Sequence, residues 1–248
     1  MLLDAWPEDA LLQAIAAENL FAETAFLLPD TSGSADYDLR WFTPTVEVPM
    51  CGHATLAAGH VLLGRDPSLM RVRLRTRQVG VLEVARDGDG YLLSLPVVPT
   101  TPAPFDAALP HLGVRAAPIE VWRGDGYNLF LFASADDITG LAPDFRALAD
   151  FGDVQFICTA PGTGHASGAD VVSRVFVPGG GIDEDAATGS AHAALTPFWA
   201  ARLGRDSFTA HQAHARGADF ACQLAGDRVL LRGQCWTVVE GTFHLPRS

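Results

Sequence analysis

Cys51-Gly52-His53-Ala54-Thr55-Leu56-Ala57-Ala58 and Thr188-Gly189-Ser190-Ala191-His192-Ala193-Ala194-Leu195 are two versions of one pattern. Each places glycine and a polar residue at the head of an alanine-rich run, and each run is closed by a glycine, Gly64 or Gly204. A run with so little polar surface predicts a helix buried within its sheet, over 53–63 and over 190–203. Two matched helices so far apart predict a duplicated unit with one central helix per copy. Pro197 falls inside the second helix and predicts a kink there.

The flanking segments supply the sheets. Residues 7–19 put acidic residues first and apolar ones at helical spacing, as an amphipathic helix does. Strands are expected over 25–28 and 37–43. Over 70–76 the alternation is stricter and sets Arg71, Arg73 and Arg75 on one side; that side reads as the solvated face of an antiparallel strand rather than an anion grip. Strands at 79–85 and 91–95 flank Asp87-Gly88-Asp89-Gly90, a hairpin signal. The proline- and threonine-rich stretch 95–104 suits neither a central strand nor a helix, so it is expected to link two halves, 1–97 and 105–248. The second half predicts a short helix over 105–112 and strands over 127–133, 154–159 and 171–176. The expected class is α+β, with two pseudo-symmetric halves, each a curved antiparallel sheet wrapped around its helix.

Composition narrows the chemistry. The 248 residues suffice for one large domain or two small ones sharing a cleft. A net charge of −12 argues against nucleic acid or an anionic membrane as partner. All 17 basic residues are arginine. Without lysine the chain forms no pyridoxal-phosphate Schiff base and supplies no P-loop lysine or lysine base. No apolar run approaches the roughly 20 residues of a bilayer span, and no signal-type start is present, so a cytoplasmic protein is expected. The four cysteines form no Cys-x-x-Cys pair and read as free thiols.

Glycine before the first turn of a helix lets a ligand reach unpaired N–H groups and the positive end of the dipole. Gly52-His53 and Gly189-Ser190 each offer such a site, and together they would hold a small carboxylate or an enolate oxyanion; the plainer reading is tight packing. Asp185, in Asp183-Glu184-Asp185, reads as a helix cap or as a partner for a substrate amine or hydroxyl. Glu23 lies between Phe21-Ala22 and Ala25-Phe26. A carboxylate losing solvation there would have a raised pKa and suit proton transfer; the plainer reading is an exposed helix-end glutamate. Cys51, just before a helix, is a candidate for a lowered pKa. His211 with His214, and Cys51 with His53, fall short of a full ligand set, so no metal is expected. No Gly-x-Gly-x-x-Gly follows a strand.

Four stretches resemble the PhzF-like phenazine-biosynthesis family, whose fold is that of diaminopimelate epimerase: Ala22-Glu23-Thr24-Ala25-Phe26, Met50-Cys51-Gly52-His53-Ala54-Thr55-Leu56-Ala57, Gly181-Ile182-Asp183-Glu184-Asp185-Ala186-Ala187-Thr188-Gly189-Ser190-Ala191 and Gln212-Ala213-His214-Ala215-Arg216-Gly217. The resemblance implies a cofactor-independent isomerase in which Glu23 moves a proton on a small, carboxylate-bearing metabolite. It implies that His53, Asp185 and Ser190 hold or polarise the substrate while the Gly52 and Gly189 amides support its carboxylate, with no metal, and that the protein is a homodimer. Ala22 and Ala186 replace the family's serine and proline. The first strands of the amino-terminal half are expected to be missing. The alternative is an inactive small-molecule-binding paralogue. A two-cysteine racemase is disfavoured because Ser190 stands in the second loop.

Overall fold

The computed structural model describes residues 1–244, and period-two alternation becomes strands along them. The first half runs α1 (Asp9–Asn19), β1 (Thr24–Pro29), β2 (Tyr37–Phe42), β3 (Glu47–Val48), α2 (Gly52–Arg65), β4 (Arg71–Arg75), β5 (Val81–Asp87) and β6 (Gly90–Pro96). The second runs β7 (Thr101–Pro102), β8 (Glu120–Arg123), β9 (Tyr127–Leu131), α3 (Ala135–Thr139), α4 (Phe145–Ala149), β10 (Gln155–Pro161), β11 (Val171–Val177), β12 (Ile182–Asp185), α5 (Gly189–Leu203), β13 (Ser207–Gln212), β14 (Ala218–Ala225) and β15 (Arg228–Gly233). Strand order is β1-β2-β4-β5-β6-β15-β14-β13-β11-β10-β9-β8-β7, so the β6–β15 pairing joins the halves into one sheet.

The duplication is visible in the registers. β1 lies antiparallel to β2 as β10 does to β11, and β2 lies parallel to β4 as β11 does to β13. The sheets are therefore mixed, a correction to the antiparallel expectation. A parallel pair needs a long crossover, and α2 and α5 supply it. Arg40 on β2 forms a two-pronged pair with Glu47 on β3, at 2.8 and 2.7 Å. Arg174 on β11 repeats it with Glu184 on β12, at 2.7 and 2.8 Å. Each guanidinium also lies over the phenylalanine two residues on, Phe42 or Phe176. Both pairs brace the short return strand that feeds a central helix. Met1 to Leu3 bridge in parallel to Leu27, as β9 runs parallel to β10.

The central helices differ in burial. α5 is buried continuously from Gly189 to Thr196. α2 is buried along one side, with Ala57, Val61 and Gly64 exposed, so the expectation of a fully enclosed first helix fails. β1, β4, β5 and β6 pack against it, and among the described residues no strand lies along the remaining flank; the segment after β15 approaches there, with His60 Nε2 2.9 Å from the Thr237 hydroxyl. Pro197 cannot donate to the Ala193 carbonyl, and the Val98 N–H of the linker does so instead, at 3.1 Å. The linker thus repairs the helix it leads past. Its edge strand β7 tolerates Pro102. The helix expected over 105–112 is only a 3₁₀ turn at Leu109–His111; Pro110 and the packing of Phe105 against Phe130, Phe151 and Phe156 hold that segment irregular. The arginine face of β4 is neutralised by carboxylates: Arg75 meets Asp38 at 2.7 Å and Arg73 meets Asp36 at 3.7 Å.

Candidate active site

The tips of α2 and α5 meet backbone to backbone. A Cβ on Gly52 would lie 2.8 Å from the Gly189 Cα, and one on Gly189 would lie 2.9 Å from the Gly52 Cα. Glycine is therefore required here first for packing. A pocket of about 240 Å³ opens beside the contact, and Glu23, Gly52, His53, Asp185, Gly189 and Ser190 all line it. Its carboxylates are Glu23, Asp125, Asp153 and Asp185, and its one cationic side chain is His53.

Leu20, at φ 53°, ends α1 in the left-handed conformation and turns the chain toward β1. Glu23 follows, with its side chain only 9% exposed, so the exposed helix-end reading fails. Its Oε2 lies 2.7 Å from His53 Nε2, yet off the direction of a well-formed hydrogen bond. The contact is an ion pair. His53 Nδ1 lies 3.2 Å from the Ala187 carbonyl, and Nε2 lies 3.7 Å from Cys51 Sγ. Cys51, when ionised, and then Glu23 hold His53 well above the usual imidazole range. Burial pushes the Cys51 thiol up, which overturns the expected lowering. With that thiol protonated, the Glu23 carboxylate is the charge that stabilises the imidazolium.

Across the pocket, Asp185 accepts from the Thr188 hydroxyl at 2.8 Å and from the Ala187 N–H at 3.2 Å. It braces the loop before α5 without capping the helix itself, whose N-cap is Thr188, and it lines the pocket. Gln212 accepts from the Thr188 N–H at 2.9 Å and donates to the Thr188 hydroxyl at 3.0 Å, which pins the same loop. Ser190 Oγ accepts from Gln155 Nε2 at 2.8 Å, and Gln155 Oε1 is buried without a partner. Burial also raises the nearby Tyr127 phenol, with the Ser190 hydroxyl opposing.

The registers give these contacts a deeper order. Thr24 pairs with Phe42, and Phe156 pairs with Phe176. Glu23 and Gln155 are therefore equivalent positions, as are His53 and Ser190, Cys51 and Thr188, and Val48 and Asp185. The pair Glu23–His53 is repeated as Gln155–Ser190. Sequence reasoning missed Gln155 and Tyr127; the β1–β2 and β10–β11 connections differ in length, so the equivalence of Gln155 with Glu23 is legible only in the registers. Because Thr188 stands opposite Cys51, no thiol pair spans the tips. His211, whose Nδ1 lies 2.7 Å from Asp219, faces a larger cavity of about 890 Å³ that shares Gly52, His53 and Gly189 with the pocket but is not lined by Glu23, Asp185 or Ser190.

Paired sheet-wrapped helices, meeting tip to tip beside a buried carboxylate–imidazole pair, define an isomerase with an epimerase-like fold. The chain belongs to the PhzC–PhzF family, the phenazine biosynthesis-like proteins, whose model matches residues 3–241. An uncharacterized isomerase of Pseudomonas aeruginosa is 42% identical over 245 residues, covering 98% of this chain and 90% of the relative. The crystal structure of a PhzF-family phenazine biosynthesis protein from Enterococcus faecalis superposes with a TM-score of 0.84 at 32% identity, covering 98% of this chain and 91% of that one. A hydroxyproline epimerase from Agrobacterium vitis shares the fold at 17% identity and a TM-score of 0.52, covering 85% of this chain and 71% of that one. Among the described residues no helix is long and apolar enough to cross a membrane.

Proposed function

We infer that the protein moves a proton between carbons of a small carboxylate-bearing metabolite, with Glu23 as the group that takes and returns it. One observation carries this reading: a 9%-exposed carboxylate, ion-paired at 2.7 Å to His53, opens into the pocket where two helix tips meet. Helix N-termini attract negative charge, so the substrate carboxylate, or the enolate oxygen formed when the proton leaves, sits at the Gly52 and Gly189 tips. The His53 imidazolium faces the same charge. Asp185 and Ser190 accept from, or donate to, a polar substituent on the far side. Glu23 receives the proton as the carbon acid ionises and delivers it to another carbon of the same molecule, so no redox equivalent or cofactor enters the balance. The two halves, 1–97 and 105–248, form the two walls. A cytoplasmic homodimer is part of this reading and rests on the family resemblance.

The test is a thermal-shift panel of cyclic amino acids and hydroxyanthranilate analogues against the wild type and Glu23→Gln. A ligand at 100 times its Kd adds about 2.7 kcal/mol of stability. The expected result is a ligand that stabilises both proteins and is turned over by the wild type alone. Turnover unchanged in Glu23→Gln removes Glu23 from the mechanism.

A further inference from the structure

Cys51 Sγ, His53 Nε2 and a Glu23 carboxylate oxygen all lie within 4.8 Å of one another. They come from the N-cap of α2, its first turn, and the residue before β1. We propose that these three side chains form a binding site for one thiophilic divalent cation of the Zn²⁺ class, and that its occupancy blocks the acid–base pair.

Four observations point to a cation. The donor set is one thiolate, one imidazole and one carboxylate, with a fourth position left to water, as zinc takes it. Their charges of −1, 0 and −1 neutralise a dication in a buried place. Around a tetrahedral ion with bonds of about 2.0–2.3 Å, donor atoms stand roughly 3.4–3.7 Å apart. The Sγ–Nε2 edge is 3.7 Å and the Nε2–Oε2 edge 2.7 Å, and because Sγ is also 3.9 Å from Nδ1, the thiolate must swing toward the Nε2 side and the carboxylate edge must open on binding. His53 turns Nδ1 to the Ala187 carbonyl at 3.2 Å, the outer contact that fixes a metal-binding imidazole with Nε2 facing the ion. Finally, Glu23 Oε2 is buried and its one contact is the ion pair with His53 Nε2 at 2.7 Å, so the carboxylate is already held inside the cluster.

The duplication supplies an internal contrast. The equivalent positions around the α5 tip are Thr188, Ser190 and Gln155; Gln155 donates to Ser190, and the Thr188 hydroxyl bonds Gln212 and Asp185 instead. Among the described residues only the α2 tip carries such a ligand set. Binding releases the thiol proton and any proton on His53 to solvent, and no bond or electron count changes otherwise. The inhibitory consequence rests on the proton-transfer reading of Glu23; the binding itself does not.

The test titrates the full chain with Co²⁺, whose absorption reports both sulfur ligation and tetrahedral geometry. The expected result is one Co²⁺ per chain, with a near-ultraviolet sulfur-to-metal band and intense visible bands, both displaced by Zn²⁺. Cys51→Ser removes the near-ultraviolet band. Glu23→Gln weakens binding by more than the roughly 10–100-fold that loss of an outer partner costs. Cys235→Ser and His211→Ala change nothing. Should Cys51→Ser fail to fold, X-ray absorption of the zinc-loaded wild type is to show one sulfur and two or three lighter neighbours. Substoichiometric binding, a band that survives Cys51→Ser, or a zinc shell without sulfur overturns the proposal. Turnover that persists in Glu23→Gln overturns the proton-transfer reading and leaves the metal site standing.

Discussion

Two histidines beside the helix tips titrate with opposite sign. His53 is exposed over a third of its side chain and is raised by Cys51 and Glu23. A raised folded-state pKa contributes stability that is complete below the unfolded value, about 6.5, and is lost as pH climbs through the folded one. The melting-temperature gap between wild type and His53→Gln should be widest in mild acid and close in alkali; a constant gap contradicts the assignment. His192 is fully buried, donates from Nδ1 to the Thr188 carbonyl at 2.8 Å and stacks on Phe220 at 3.9 Å. Burial pushes it down to about 4. Its folded value lies below its unfolded one, so stability falls as pH drops from about 6.5 toward 4. At about 1.4 kcal/mol per unit the loss reaches roughly 3 kcal/mol. Urea unfolding of His192→Asn should show a flatter acid limb than the wild type, and an equally steep limb would assign the loss to other groups. Single residues were legible in the sequence to different degrees. The sequence left Glu23 open between a desolvated carboxylate and an exposed helix end, and its neighbours Phe21 and Ala22 are themselves exposed. The contact of Glu23 with His53 was not legible, because it depends on how β1 sits beside α2.

At the scale of elements, α2 rests on β5 through Gly59. A Cβ there would overlap the Val84 side chain. Gly59→Ala gains up to about 1 kcal/mol of helix propensity but loses about 1–3 kcal/mol to overpacking, so net destabilisation is expected. Adding Val84→Ala should convert the loss to a gain relative to that single change, by denaturant titration; the same Gly59→Ala cost in both backgrounds would show that the overlap is relieved elsewhere. The Val98–Ala193 hydrogen bond makes a second case. Val98→Pro orphans a buried carbonyl, at about 1–3 kcal/mol. The loss should shrink in a Pro197→Ala background, where the helix supplies its own N–H; an undiminished loss would mean that the linker stabilises the helix in some other way. The alanine-rich runs made both helices readable, because few other environments suit so little polar surface. The open flank of α2 was not readable, since burial around a helix depends on how many strands reach it. The segment 105–112 misled because its apolar spacing serves a phenylalanine cluster rather than a helix.

For the whole molecule the consequence of duplication is that one pocket has two unlike walls. The Glu23–His53 wall pairs a carboxylate with an imidazole, whereas the Gln155–Ser190 wall carries the carboxylates Asp125, Asp153 and Asp185 and no cation. The matched motifs made the two-part fold visible in the sequence, but the equivalence of Glu23 with Gln155 required strand registers. Because the tips touch through Gly52 and Gly189, Gly189→Ala should push the halves apart and abolish ligand-induced stabilisation in the thermal-shift panel. Retained stabilisation would place the ligand away from the tips. The account as a whole stands or falls on where the proton goes. With a substrate from that panel in D₂O, the wild type should wash deuterium into a substrate carbon and Glu23→Gln should not, as followed by proton NMR. Deuterium entering at the wild-type rate in the variant would contradict the assignment of Glu23 as the proton-transferring group.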